Sequence, residues 1–418
     1  MENGQILQDI TFLIENYQND YYNMEDMKGL LYDAVNEILE MAVSHGFEGD
    51  LWHNYLTYLM ASHENAYSTS CEIVGSVDGS INQVALHDFE IFKELFDYDF
   101  TDMESVMGVD CISMLHDYVG TCGHGSVFNQ RIRDRICDLS KSLAKAETAE
   151  EFKAVITQFY KEFGVGKLGL HKAFRIAHTE EGALIEPITK IAHVHLDDLV
   201  GYEIAKKKLI DNTKAFVEGK KANNCLLFGD AGTGKSSSIK AILNQYYDQG
   251  LRMIEVYKHQ FQDLNDVIAQ IKNRNYKFIL YMDDLSFEEF EIEYKYLKAV
   301  IEGGLEKKPD NVLIYATSNR RHLIRETFKD KEDRDEELHT NDTVQEKLSL
   351  VARFGVTIYF GKPDKKQFQE IVRELAKKNG IDMSDDELFL EANKWELSHG
   401  GLSGRTAQQF IDYLAGTR

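Results

Sequence analysis

The sequence predicts an α/β protein preceded by an all-helical region, and three observations carry that reading. The first third of the 418-residue chain places apolar residues at helical spacing and contains almost no bases. From about Leu196, short apolar runs alternate with amphipathic stretches, the pattern of a parallel sheet covered on both faces. After Lys362-Pro363 only helical periodicity remains.

Residues 1–130 hold 23 acids against two bases, Lys28 and Lys93, a charge of −21 within a whole-chain net charge of −23. Residues 131–418 are close to neutral, so composition puts a boundary near 130. Phosphate backbones need clustered Lys and Arg, so this acidic part is not a nucleic-acid footprint. It reads as a solvated acidic surface or as a docking face for a basic partner. Leu7, Ile10, Leu13 and Ile14 form one apolar stripe; Met27, Leu30, Leu31, Ala34, Ile38 and Leu39 form another. Neither has the spacing of a catalytic site. Tyr21, Tyr22, Tyr55 and Tyr58 read as core or interface aromatics, and His124 as part of a turn. The chain stays helical over 131–165, with a basic face of Arg131, Arg133, Arg135, Lys141 and Lys145. Residues 166–195 read as a linker rich in loops.

A charged fraction of 28% with 11% aromatics argues against a disordered chain. No apolar run reaches the roughly 18 residues of a membrane span, and the N-terminus has no basic-then-apolar leader pattern. Cys71, Cys111, Cys122, Cys137 and Cys225 are odd in number, with no CxxC pair, which fits reduced thiols rather than disulfides or structural zinc. These features predict a cytoplasmic protein.

Five strands are expected in the second region: Cys225–Phe228, Met253–Val256, Phe278–Met282, Val312–Ala316 and Val356–Phe360. Helical segments near 235–249, 261–273, 290–302 and 344–351 separate them, and 364–379, 384–399 and 403–415 follow. Lys329–Glu337 reads as an exposed loop, and Lys206–Lys208 with Lys220-Lys221 as a solvated basic cluster.

Gly229-Asp230-Ala231-Gly232-Thr233-Gly234-Lys235-Ser236 satisfies GxxxxGK[ST] between the first of these strands and a helix, with Ser237 next in the helix. Such a loop wraps its N–H groups round anionic oxygens, and the helix N-terminus adds to the field. Lys235 would reach the β- and γ-phosphates, and the Ser236 hydroxyl would complete a magnesium site. The third strand ends in Asp283-Asp284, where acids of a parallel sheet meet ligands. Asp283 is the metal candidate, and Asp284 is the candidate base for an attacking water. Glu288 is the alternative base.

The strand order, this loop and the acidic strand end resemble an AAA+ ATPase. Thr317-Ser318-Asn319 stands where AAA+ proteins carry a polar sensor, Arg353-Phe354-Gly355 where they carry an arginine finger, and Gly404-Arg405-Thr406 where they carry a second sensor. Arg320 and Arg321 compete with Arg353 for the finger. The phrases LVGYE (199–203), NNCLLFGDAGTGKSSSIKA, MDDLSFE, YATSNRRHL and SGRTAQQFI are similar to a bacterial AAA+ family labelled DUF815, over roughly Gly166 to Arg418. AAA+ hydrolases usually end the acidic strand in Asp-Glu, whereas Asp-Asp is usual for the narrower family.

The resemblance implies a P-loop AAA+ five-stranded parallel sheet core over 196–361 and a C-terminal helical lid over 362–418, behind an all-α N-terminal region over 1–165. It implies ATP and Mg²⁺ as ligands, with the nucleotide on residues 229–237 and against Val200 and Gly201. Asp284, Asn319, Arg353 and Arg405 would carry catalysis, and Ser236 and Asp283 the metal. It further implies a homo-oligomeric ring, with a hexamer as one size, acting on a macromolecular partner. A nucleotide-controlled adaptor or loader with slow or partner-dependent hydrolysis is the alternative, and a DNA-linked role a variant of it.

Overall fold

The structure, a computed structural model, describes residues 4–75, 78–120, 128–180, 182–287, 291, 293–302, 309–319, 323 and 350–417. Cys122, His124, Glu288, Arg320, Arg321, the 329–337 stretch and most of the 344–351 stretch lie outside the described residues. The chain divides into two compact units, Met1–His171 and Lys172–Arg418.

The first unit is helical, as predicted. Its helices are α1 (Gly4–Asn16), α2 (Met24–His45), α3 (Leu51–Ser62), α4 (Ala66–Val74), α5 (Ile81–Phe96), α6 (Thr101–Met107), α7 (Gln130–Leu143), α8 (Ala149–Phe163) and α9 (Gly166–Leu170). Short polar side chains start them. Asn23, Asp50, Asn65, Asn129 and Thr148 each accept from an N–H of the first turn, satisfying donors the helix itself leaves orphaned. Ile10, Leu13, Met27, Leu31, Ala34 and Ile38 of the two predicted stripes are buried. They pack in one core with Trp52, Tyr55, Phe152 and Tyr160. The Trp52 indole N–H donates to Leu95 O at 2.9 Å, and the Tyr160 hydroxyl to Met60 O at 3.0 Å, so the large aromatics bury without stranding their polar ends. Tyr21, by contrast, is 86% exposed.

The compositional break near 130 is therefore not the structural one. Ile132, Ile136, Leu139 and Leu143 of α7 and Phe152, Ile156 and Phe159 of α8 complete the same core, although their outer faces carry the chain's first arginines. Apolar faces decide membership of a core; surface charge does not.

The second unit is a seven-stranded sheet, ordered β2-β1-β4-β5-β6-β3-β7. Its strands are β1 (Ala173–Thr179), β2 (Gly182–Pro187), β3 (Cys225–Gly229), β4 (Leu251–Glu255), β5 (Lys277–Met282), β6 (Val312–Ser318) and β7 (Val356–Phe360). The five predicted strands are β3 to β7, all parallel, in register from Leu251↔Lys277 through Phe278↔Val312 and Cys225↔Tyr315 to Cys225↔Val356. The supposed 166–195 linker is a correction. Gly166–Leu170 is α9 of the first unit, and 173–187 is a hairpin, β1 antiparallel to β2, that extends the sheet beside β4. Helices α10 (Glu203–Val217), α11 (Lys235–Tyr246), α12 (Leu264–Ile271) and α13 (Glu293–Glu302) accompany the sheet. The predicted 261–273 helix begins as a 3₁₀ segment, Lys258–Asp263. Three helices close the chain: α14 (Lys365–Lys378), α15 (Asp385–Ser398) and α16 (Gly404–Thr417). Phe368, Val372, Ala392, Ala407 and Ile411 give them a small core of their own. They form the expected lid.

Candidate phosphate and metal site at the carboxyl end of the sheet

β3 ends at Gly229, whose φ of 135° and close approach to β7 leave no room for a side chain. A Cβ there would lie 2.1 Å from Phe360 O. The loop then turns through Gly232 and Gly234 into α11, whose first N–H groups have no intrahelical acceptor. The Thr233 hydroxyl donates to Asp230 O at 2.8 Å and braces the turn.

Lys235, only 6% exposed, folds back into this loop. Its ammonium donates to Gly229 O at 2.9 Å, Asp230 O at 2.6 Å and Asn319 Oδ1 at 3.0 Å. Burial lowers its pKa from the ordinary lysine value, while Asp284, Asp230 and Asp283 pull the other way. A partly desolvated ammonium among carbonyls is held ready for a stronger anion.

The two acids after β5 are held differently. Asp283 Oδ1 accepts from Ser236 Oγ at 2.7 Å and from Thr317 Oγ1 at 2.6 Å. Burial alone would raise its pKa, but these hydroxyl donors outweigh it and the carboxyl lies below the ordinary value. Asp284 turns into the left-handed region, with φ of 50°, unusual for a residue with a side chain. Its N–H donates to Thr317 Oγ1 at 2.9 Å, and its Oδ1 accepts from Asn319 Nδ2 at 2.7 Å. Asn319 thus spans the site, its amide oxygen toward Lys235 and its amide nitrogen toward Asp284.

A cleft of about 560 Å³ opens over these groups. Of the predicted ligand-binding residues, Ala231 to Ser237, Asp283, Asp284, Asn319, Arg405 and Val200 line it. Gly229 and Asp230 border an adjoining hollow beside Phe228 and Tyr359. Gly201 is not among the residues lining either space. Arg353 is apart from both, in an ion pair with Glu302 at the end of α13. The lid reaches the loop directly, the Arg405 N–H donating to Gly232 O at 3.2 Å.

Sequence reasoning missed Thr317, Tyr202, Ile371, Leu375 and Gln408 of the cleft. Thr317 had a usable signal, because strand alternation puts it on the same face as Asn319. Tyr202 is tied to the lid hinge, its hydroxyl donating to Gly361 O at 2.9 Å, and its φ of 59° marks a second constrained backbone. Ile371 and Leu375 are separated from the loop by over 130 positions and had no local signal, whereas Gln408 lies in the SGRTAQQFI phrase without a role being read for it.

The donor set fits a hydrated divalent cation. Ser236 and Asp283 are hard oxygen groups already drawn together, beside a loop and a helix N-terminus suited to polyphosphate.

Five parallel strands in the order β4-β5-β6-β3-β7, with the glycine loop after the one that sits second from the edge and a helical lid beyond the last, make this a P-loop α/β fold of the AAA+ type. The sequence places it more narrowly. Residues 169–418 match the family described as a protein of unknown function, DUF815, and the chain belongs to that family. Among solved structures, it is similar to the Thermotoga maritima RuvB Holliday junction branch migration motor, at 16% identity and a TM-score of 0.37. That match covers 52% of this chain, which spans only 63% of the RuvB chain. It is also similar to the FIGL-1 AAA domain in complex with ADP, at 16% identity and a TM-score of 0.37, over 55% of this chain and 75% of that one. Comparison with curated proteins gives no match.

Proposed function

We propose that this chain is an ATPase that binds Mg-ATP between sheet and lid and uses its hydrolysis to change shape on a macromolecular partner. The observation that carries the reading is the convergence of Lys235, Asn319 and Asp284 with the Ser236–Asp283–Thr317 cluster at one strand end. Loop N–H groups and Lys235 bind and orient the phosphates, and Arg405 meets them from the lid. Ser236 and Asp283 hold the metal, which, when bound, neutralises charge on the phosphate oxygens. Asp284 accepts the proton of the attacking water, and Asn319 fixes the direction of that carboxylate. Fixed dipoles in a closed cleft supply most of the rate, as in other phosphoryl transfers.

Arg353 acts in trans. Its side chain is committed to Glu302, away from the cleft of its own chain, so the γ-phosphate it serves belongs to a neighbouring subunit of a ring. The acidic first unit, with so few bases before Arg131, is the docking region for a basic partner. No described helix is long and apolar enough to cross a membrane. The adaptor reading keeps one specific support: Asn319 engages both Lys235 and Asp284, so a partner that shifts this one side chain would control turnover.

The test is Asp284→Asn. The variant should keep Mg-ATP affinity and lose about 10²–10⁴-fold in phosphate release, the usual worth of a positioned base. Undiminished hydrolysis would move the base to another acid.

A further inference from the structure

Asp284 sits in a backbone conformation that its own Cβ disfavours. Its φ of 50° lies in the left-handed region, where a residue with a side chain persists only if its surroundings over-determine it. Three hydrogen bonds hold the turn, and two of them come from one residue. The Asp284 N–H donates to Thr317 Oγ1 at 2.9 Å, and the Leu285 N–H to Thr317 O at 2.7 Å. The third, from Asn319 Nδ2, reaches the Asp284 carboxylate rather than its backbone. Thr317 is placed for this by the sheet. β5 and β6 run in register to Met282↔Ala316, where β5 ends, and β6 continues through Thr317 beside the two acids. The residue is 1% exposed, so water does not compete freely for its hydroxyl.

The same hydroxyl works in the other direction as well. Thr317 Oγ1 donates to Asp283 Oδ1 at 2.6 Å while it accepts from the Asp284 N–H. Accepting that N–H leaves its own proton for the carboxylate, and each bond of such a chain strengthens the next. Ser236 reaches the first acid and Asn319 the second; the Thr317 hydroxyl joins the two. Valine has nearly the same shape and can neither accept nor donate, whereas serine can do both.

We propose that Thr317 is a positioning residue for hydrolysis, its hydroxyl fixing the turn that aims the Asp284 carboxylate relative to the carboxylate that holds the metal. The inference rests on the roles given to Asp283 and Asp284 above, and adds a residue outside the loop, the acidic pair and Asn319. The Leu285 N–H bonds to the Thr317 carbonyl, a backbone group that substitution leaves in place. Loss of the hydroxyl therefore loosens the turn without releasing it from β6. The phosphate-binding groups, Lys235 and the loop N–H groups, are untouched. The effect falls on rate rather than on nucleotide affinity.

The experiment compares full-length wild type, Thr317→Val and Thr317→Ser at saturating Mg²⁺, with kcat and KM from phosphate release and ATP affinity from calorimetry. Thr317→Val should lose about tenfold to a hundredfold in kcat, the worth of hydrogen bonds to a charged group, with KM and affinity within about twofold of wild type. Thr317→Ser should recover most of that loss. Thr317→Ala carries the same expectation against serine if valine does not fold. In an Asp284→Asn background the valine substitution should cost little more, because no base remains to be aimed. An unchanged kcat for Thr317→Val would overturn the proposal, as would an equal loss in both backgrounds, a serine variant as slow as valine, or a parallel fall in ATP affinity. Undiminished hydrolysis by Asp284→Asn would take down the reading above and this proposal with it. A slow Asp284→Asn beside a fully active Thr317→Val would sink the role of Thr317 alone.

Discussion

The two units handle buried polar groups in opposite ways. In the first, buried carboxylates end in complete local structure: Glu104 accepts from Ile112 N at 2.8 Å and Ser113 N at 3.0 Å, and Glu72 from Val165 N at 3.1 Å. Those carboxylates replace water for backbone donors and leave little for a ligand to improve. In the second unit the polar groups are held against one another. Lys235 rests on carbonyls, Asp284 sits in a left-handed conformation, and Asn319 divides itself between the two. The contrast teaches where to look for chemistry in a chain with charges everywhere. The acidic third carries nearly all the net charge, and the near-neutral remainder carries the constellation.

Substitutions on either side of that divide should separate rate and affinity from stability. The largest effect is expected at Arg353. As a finger in trans, Arg353→Ala should lower steady-state hydrolysis by about 10³–10⁵-fold with ATP affinity nearly intact. Mixing it with Asp284→Asn should restore some turnover, because mixed assemblies pair one intact site with one intact finger. Full activity of Arg353→Ala, or turnover per subunit independent of concentration, would place the finger elsewhere.

Trp52→Ala asks the converse question in the first unit. The indole is buried against Tyr55 and Phe100 and hydrogen-bonded to Leu95 O. Its truncation should cost about 3–5 kcal/mol in the unfolding of residues 4–171. Mg-ATP affinity should not change, and a matching loss there would join what the comparison separates.

The smallest effect concerns acid. Asp283 has a folded pKa below its ordinary 3.8, so its ionised form stabilises the fold. That contribution is complete above the unfolded value and fades as pH falls through the lower folded one. Wild type should therefore exceed Asp283→Asn in stability at pH 5–7, with the gap closing below about pH 4. Parallel pH curves would show that the carboxylate is not held by Ser236 and Thr317 in solution.

Much of the second unit is legible in the sequence because its strands are buried on both faces. Cys225–Phe228 and Val312–Ala316 read as continuous apolar runs, a signal independent of register. The hairpin of β1 and β2 escaped detection because it is a half-exposed edge. Arg175, His178 and Glu186 interrupt its apolar residues, and β1 meets β4 over only three residue pairs. The loop and acid motifs were legible as contiguous words. Thr317, Tyr202 and the lid residues Ile371 and Gln408 enter the cleft only through folding. The Arg353–Glu302 pair belongs to the same class, since nothing local joins positions 51 residues apart.

The central claim is that the 229–236 loop is a phosphate site whose lysine is kept waiting by its own carbonyls. Mg-ATP titration of Lys235→Ala by calorimetry, beside wild type, tests it most directly. Losing charge-assisted bonds to phosphate should weaken binding about tenfold to a hundredfold. The far-ultraviolet spectrum should stay the same and the melting temperature should fall little, because the loop carbonyls can turn to water. Equal affinity in the two proteins, or failure of wild type to bind Mg-ATP at all, would contradict the account.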